Sequence, residues 1–371
     1  MMRILQPPAS FPPVEHERRL KALIKTLRRE KLDGAIIASE VARFYYTGFH
    51  ASSGILLVDV SGTPRFLTDF RYLPAAKRQI PFVDCADSKR APETGKILAK
   101  LTASWKRAAI EHAIPHAQLA ALQKPLEHVA EWVDLSPIVA AQRAIKSVRE
   151  QKAIRHAVAM NDVVFANLVT QLRPGATEWF VRSAARMVMG LVGEGEAFDT
   201  IAAFGANAAE CHHVSDATRL AKGKAVLLDF GVKCDRYCSD LTRTLCLGKP
   251  SSTLADAHAA VLRANRAAAK KIRPSMTGAD ADAIARGVLE TAGYGKAFGH
   301  GLGHGIGLEV HESPSLSPAS KTILEPGHIV TIEPGVYLPG NTGIRIEDVA
   351  LITADGCEIL STAPRELVSH L

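Results

Sequence analysis

Apolar positions along the chain fall into two kinds of pattern. Between residues 15 and 31, Leu20, Ile24 and Leu27 recur at helical spacing among Arg18, Arg19, Lys21, Arg28 and Arg29, which predicts an amphipathic helix with a solvated basic face. The runs GAIIAS (34–39) and GILLVDV (54–60) are short, apolar and bounded by glycine, as strands are. Helix and strand patterns alternate to about residue 140, predicting a small α/β domain over 1–145. The stretch AAQRAIKSVREQKAIRHAVAM (140–160) reads as one long helix carrying the chain into a second domain, 146–371.

In that second domain the pattern recurs at about one hundred residues. Arg173-Pro174-Gly175-Ala176-Thr177 joins two helical patterns, and Arg273-Pro274-Ser275-Met276-Thr277 does the same 100 positions later. Each pair of helices precedes a histidine-bearing segment and a hairpin pattern with two carboxylates. His212 and His311 lie 99 apart, Asp229 and Glu333 104, and Asp240 and Glu347 107. Two copies of one α+β unit facing each other would gather these side chains around a shared cleft.

Composition narrows the class. The 371 residues are 47% apolar and 22% charged, which excludes a disordered, collagen-like or coiled-coil chain. No apolar run approaches the roughly 18 residues that cross a bilayer. The start, MMRILQPPASFPP, has prolines where a signal peptide needs an apolar stretch, so a non-exported, cytoplasmic protein is expected. Six scattered cysteines are expected to be free thiols, Cys234 and Cys238 being hairpin thiols, because zinc needs four ligands and no second pair follows. The net charge of +7 sits in the first 145 residues, with 21 Lys+Arg against 14 Asp+Glu. No nucleic-acid motif or aromatic cluster accompanies it, so neither nucleic acid nor membrane is an expected partner.

The candidate chemistry lies in the hairpins. In AVLLDFGVKCDRYCSDLTRTL a two-residue turn at Cys234-Asp235 would set Asp229 opposite Asp240. In IVTIEPGVYLPGNTGIRIEDVAL a turn at Pro339-Gly340-Asn341 would set Glu333 opposite Glu347. Like charges opposed on paired strands are destabilising, so two such pairs in apolar surroundings call for cations, and Arg345 alone cannot balance four carboxylates. In FGHGLGHGIGLEVHE (298–312), five glycines argue against a helix, and an extended strand would hold His300 and His304 on one face. Neutral imidazole there is a candidate ligand for a divalent transition ion.

DFG…SDLTRT, GHGLGHGIGLEVHE, TIEPGVY and GIRIED, in this order and spacing, resemble the proline-peptidase branch of the pita-bread metallopeptidases, which includes aminopeptidase P and prolidase. QRAIKS (142–147) and YYTGF (45–49) look like the two-domain members of that branch. The resemblance implies an α+β fold, with an N-terminal creatinase-like α/β domain before a C-terminal pita-bread domain with a pseudo-twofold internal repeat. It also implies that Asp229, Asp240, His304, Glu333 and Glu347 hold two divalent ions, with Asp240 and Glu347 bridging, Asp229 on one ion, and His304 and Glu333 on the other. Four carboxylates with one imidazole favour a fairly hard ion, Mn²⁺ first, with Co²⁺ or Zn²⁺ able to bind. By the same resemblance Glu333 shuttles a proton, His212 and His311 bracket the substrate and its oxyanion, and His300 lines the pocket after the cut. Arg345 would orient carboxylates. His212 rather than His213 is expected to face the site, while Tyr237 and Arg243 are read as structural.

The implied substrates are proline-containing peptides cut at an Xaa-Pro bond, and a homodimer is expected. Prolidases of this type often carry an arginine just after the VHE segment that holds a dipeptide's carboxylate. Here Ser313-Pro314-Ser315-Leu316 follows, with no cation before Lys321, which tips the expectation towards an Xaa-Pro aminopeptidase. The alternative is an Xaa-Pro dipeptidase, its charge supplied by another loop or by a partner's Arg71. A binding module of the same fold would have lost ligands, and this chain keeps all five.

Overall fold

The computed structural model describes residues 11–367, so most of the N-terminal segment read for export lies outside the described residues. The chain forms two compact units, dividing between Gln142 and Arg143.

The first unit is a six-stranded mixed sheet with helices. Its strands are β1 (Gly34–Ile37), β2 (Ile55–Asp59), β3 (Arg65–Thr68), β4 (Asp84–Asp87), β5 (Arg107–Ile110) and β6 (Glu131–Asp134), in the order β4-β3-β2-β1-β5-β6. Antiparallel pairing joins β1, β2 and β3, while β3–β4, β1–β5 and β5–β6 are parallel. Its first helix, α1 (Pro13–Arg29), buries Leu20, Leu23 and Leu27. The basic face is not wholly solvated: Arg19 is buried, donating to Glu15 and to the Tyr45 carbonyl and stacking on the Tyr45 ring.

The long helix expected over 140–160 is two helices, Ser136–Ala144 and Val148–Gln171. Ser147 caps the second in a reciprocal box with Glu150, a local hydrogen-bond set that ends one helix and starts the next. Just before the break, Arg143 and Lys146 converge on the buried Glu312, so the glutamate of the VHE segment is structural.

The second unit repeats a motif of two helices and a sheet. In the first copy α2 (Val148–Gln171) and α3 (Glu178–Val192) accompany a sheet in the order β9-β8-β7, made of β7 (Ile201–Phe204), β8 (Ala225–Phe230) and β9 (Leu241–Cys246). In the second, α4 (Ser252–Lys271) and α5 (Gly278–Thr291) accompany five strands in the order β11-β10-β12-β13-β14. These are β10 (Gly303–Gly305), β11 (Glu312–Leu316), β12 (Ile329–Ile332), β13 (Asp348–Ile352) and β14 (Cys357–Ile359). Thr177 and Thr277 cap the second helix of each copy, and Gly175 and Ser275 both take positive φ just before. Buried Asn161 and Asn265 each reach from the first helix to a strand carbonyl, Phe230 O at 3.0 Å and Ile332 O at 3.1 Å.

Strand alternation then orients the chemistry. Val226, Leu228 and Phe230 of β8 join the core of the first copy, with Val164, Val181 and Met189. Ala225 and Leu227 join the core of the second, with Val261 and Ala264. Asp229 has the parity of Ala225 and Leu227 and so turns towards the second copy.

Candidate metal centre

The first carboxylate hairpin turns one residue later than its sequence suggests. Cys234 pairs with Tyr237, leaving Asp235 and Arg236 as the turn, both at positive φ (48° and 70°). Two positive φ values are what a two-residue hairpin turn of matching twist requires. Asp229 therefore faces Thr242, not Asp240. The shift of two in pairing keeps every side chain on its expected face, so the carboxylates still converge. In the second hairpin Leu338 pairs with Thr342 across the expected turn, and Ile332 pairs with Asp348. Glu333 and Glu347 sit in the gap between those two ladders, opposite in register and free of strand pairing.

His304 lies on β10, where the backbone passes so close to β12 that a Cβ on the preceding Gly303 would come within 2.2 Å of Thr331 O. His304 Nε2 stands 3.3 Å from Glu333 Oε1 and 3.8 Å from Asp240 Oδ2. Asp240, His304 and Glu347 offer ligand atoms all within 4.8 Å of one another. His304 Nδ1 is 3.1 Å from the Gly305 carbonyl, which can only accept, so Nδ1 carries the proton and Nε2 presents its lone pair to the carboxylates. Burial keeps this ring neutral, lowering its pKa to about 4.

Three carboxyls are shifted the other way. Burial, then repulsion from Glu347, Asp229 and Glu333, pushes Asp240 well above its ordinary value. Glu347 is raised by burial and by Glu333 and Asp229. Glu333 is brought to about 7, mainly by burial. Asp229 Oδ1 and Asp240 Oδ1 are buried without a hydrogen-bond partner. Buried acceptors left unmet, four crowded carboxylates and an imidazole offering its lone pair form a donor set that fits divalent cations.

Around this set the protein supplies orienting contacts. Arg345, only 3% exposed, ion-pairs Asp229 through Nη2 and donates from Nε to Thr242 Oγ1 at 3.1 Å. Thr242 in turn donates to Glu347 Oε2 at 2.7 Å. Thr331 Oγ1 accepts from the His304 amide at 3.0 Å and donates to Glu333 Oε1 at 3.2 Å. Tyr337 OH accepts from Arg345 Nη1 at 2.7 Å and lies 2.9 Å from His300 Nε2. His300 Nδ1 faces the Gly301 carbonyl at 2.8 Å, so Nε2 is the acceptor and Tyr337 donates to it. Sequence reasoning missed Thr242, Thr331 and Tyr337. Thr242 was within reach of the argument, since it shares a strand face with Asp240 two residues away.

All nine candidate residues line one cavity of about 610 Å³. His212 and His311 are exposed within it, the His311 ring set edge-on to His304 with centroids 4.4 Å apart. His213 also borders the cavity but is buried and held by Glu178 and Glu210, in an irregular segment rather than a strand. Tyr237 donates to Glu150, and Arg243 is buried on Asp348, both outside the centre. Burial raises the Cys234 and Cys238 thiols to about 12, and every described cysteine is free.

A second cluster of metal-ligating types, Glu178, His213 and Asp216, lies close by. Its donors are already engaged. His213 Nε2 meets Glu178 Oε2 at 2.8 Å and Nδ1 meets Glu210 Oε2 at 3.0 Å, so both nitrogens donate and no lone pair remains. Glu178 also accepts from the Phe204 and Asp216 amides and from Asn207. This cluster braces the loop that bears His212.

The sequence model of the creatinase/prolidase N-terminal domain matches residues 19–145, and that of metallopeptidase family M24 matches 152–354. The Xaa-Pro dipeptidase of Pyrococcus horikoshii is 31% identical over 352 residues, 94% of this chain and 98% of that protein. Among solved structures, the Xaa-Pro dipeptidase from Bacillus anthracis superposes with a TM-score of 0.90 at 33% identity, covering 96% of this chain and 99% of that one. The X-Pro aminopeptidase from Thermotoga maritima superposes at 0.85 and 31% identity, covering 94% and 99%. With matches that extend over both units and a centre built from the residues its motifs single out, this chain belongs to metallopeptidase family M24.

Proposed function

We propose that the protein is an Xaa-Pro dipeptidase whose Asp229, Asp240, His304, Glu333 and Glu347 hold two divalent ions, Mn²⁺ by the hardness of the donor set. The observation that carries the reading is the convergence of Asp240, Glu333 and Glu347 on a histidine nitrogen that presents its lone pair, with Asp229 charged against all three carboxylates. Dipeptides replace the longer peptides favoured by the sequence because full-length relatives at about one-third identity bear the dipeptidase name. The absence of a cation between the VHE segment and Lys321 supports the aminopeptidase reading, which remains the second outcome of the test.

Bound at this donor set, two divalent ions would supply the Lewis acidity that makes water nucleophilic at neutral pH and polarises a peptide carbonyl. The chain's own groups do the rest. Glu333, lining the cavity 3.3 Å from His304 Nε2, takes a proton from the attacking water and delivers it to the departing proline nitrogen. His212 and His311, on the cavity wall, donate to the carbonyl oxygen as it gains charge. His300, fixed by Gly301 and Tyr337, packs beside the ring after the cut. Arg345 neutralises part of the carboxylate charge and holds Asp229 in place.

The test compares an Xaa-Pro dipeptide with the corresponding Xaa-Pro-Xaa tripeptide in the presence of Mn²⁺, with Asp240→Ala as the blank. Faster cleavage of the dipeptide is expected, with none by the variant. Preference for the tripeptide would make the protein an aminopeptidase, and cleavage of neither would overturn the peptidase reading. The homodimer and the cytoplasmic setting belong to the same proposal. A monomer in light scattering would remove the former.

A further inference from the structure

Two guanidinium groups line the cavity, and they differ in what they have left to offer. Arg345 is committed on all three nitrogens, to Thr242, to Tyr337 and to Asp229. Arg182, projecting from α3, donates from Nη2 to Asp199 Oδ1 at 3.0 Å, while its Nε is buried without a hydrogen-bond partner. The Nε and Nη2 donors lie along one edge of the guanidinium, the edge that grips a carboxylate with two parallel bonds. One bond of that pair is made, and the other donor is buried and unmet until the anion on this edge is exchanged for one that takes both.

Asp199, the partner present, holds weakly. Its side chain is 82% exposed against 23% for Arg182, and it lies 3.4 Å from Arg186 as well. An ion pair so exposed contributes little, and its anion is displaced at small cost. The half-buried guanidinium, by contrast, loses by leaving a donor unmet. Arg182 is thus a cation on the cavity wall with one donor unmet, and the carboxylate it holds is the more exposed and more easily displaced of the pair.

We propose that Arg182 is a specificity-determining residue that binds a carboxylate of the substrate peptide, displacing Asp199. The proposal rests on the Xaa-Pro peptidase reading. Two sources present this chemistry, the free C-terminus of a dipeptide and the acidic side chain of the residue before proline.

The experiment measures KM and kcat of wild type, Arg182→Ala and Arg182→Lys on Ala-Pro, Ala-Pro-amide, Glu-Pro-amide and Gln-Pro-amide. If the C-terminus is the ligand, Arg182→Ala raises KM for Ala-Pro roughly tenfold or more with kcat nearly unchanged, and leaves Ala-Pro-amide as it was. If the side chain is the ligand, the loss falls on Glu-Pro-amide alone. Lysine, which keeps the charge and loses the fork, recovers part of either loss. Unchanged KM on all four substrates overturns the proposal while the peptidase reading stands. Should the alanine variant fail to cleave the neutral amides, through misfolding, the lysine variant decides: equal KM to wild type on both acidic substrates overturns the proposal, and a selective rise supports it. Wild type inactive on all four overturns the peptidase reading and this proposal with it.

Discussion

Two clusters in the second unit contain the same kinds of side chain, yet only one leaves acceptors unmet. Asp240, His304 and Glu347, with Asp229 and Glu333, crowd carboxylates together and leave acceptors unmet. Glu178, His213 and Asp216 have equal proximity, but His213 spends both nitrogens on carboxylates and Glu178 accepts from two amides, an asparagine and the imidazole. The difference lies in the second partner of each histidine. A carbonyl on Nδ1 sends the lone pair of His304 outward, while a second carboxylate makes His213 a cation in its own right. Composition and distance do not separate the two; unsatisfied acceptors do.

The sharpest way to break this contrast is to remove each histidine in turn. His304→Ala is expected to lower bound metal and reduce turnover about a hundredfold or more, as loss of an inner ligand does. Metal analysis beside kinetics checks it, and full metal content in the variant would remove His304 from the centre.

Next in size is the response to a chelator. The raised carboxyls bind protons in the folded protein at a pH where the unfolded chain has released them. The contribution of Glu333 to stability is present below about 4.3 and is lost as pH rises through about 7, and those of Asp240 and Glu347 fall in the same direction. Thermal unfolding of chelated protein should therefore show Tm falling by several degrees over that window relative to metal-loaded protein. Parallel curves would mean that cations do not relieve the repulsion.

The smallest effect is expected from His213→Ala. It should keep its metal and lose about 2 kcal/mol of stability, since Glu178 keeps three of its hydrogen bonds. Burial lowers the His213 pKa, but Glu210 and Glu178 outweigh it and hold it above the ordinary value. The deficit should accordingly be full below about 6.5 and shrink as pH rises through the folded value. Denaturant melts at two pH values measure it, and lost metal would show that the two clusters act as one.

The repeat was readable because its signals are local. A turn with Thr177 or Thr277 as helix cap carries its instruction within a few residues, and alternation puts each carboxylate on a definite face whatever the exact pairing. That parity is why the carboxylate set survived a misplaced turn. The turn itself was misread because the choice between Cys234-Asp235 and Asp235-Arg236 depends on which two residues take positive φ in the paired hairpin. The helix break at Ser147 was missed because apolar periodicity continues across a capping box.

By itself the sequence determined which residues carry chemistry and on which face of each strand they lie, because period and parity are properties of consecutive residues. Only the tertiary structure decided which of them are free to use it. Arg345 meets Asp229 across 116 positions, His213 meets Glu178 across 35, and Arg182 keeps a donor that nothing nearby accepts. Whether a buried group is satisfied depends on neighbours brought from distant parts of the chain, and it is that satisfaction, or its lack, that separates a brace from a binding site.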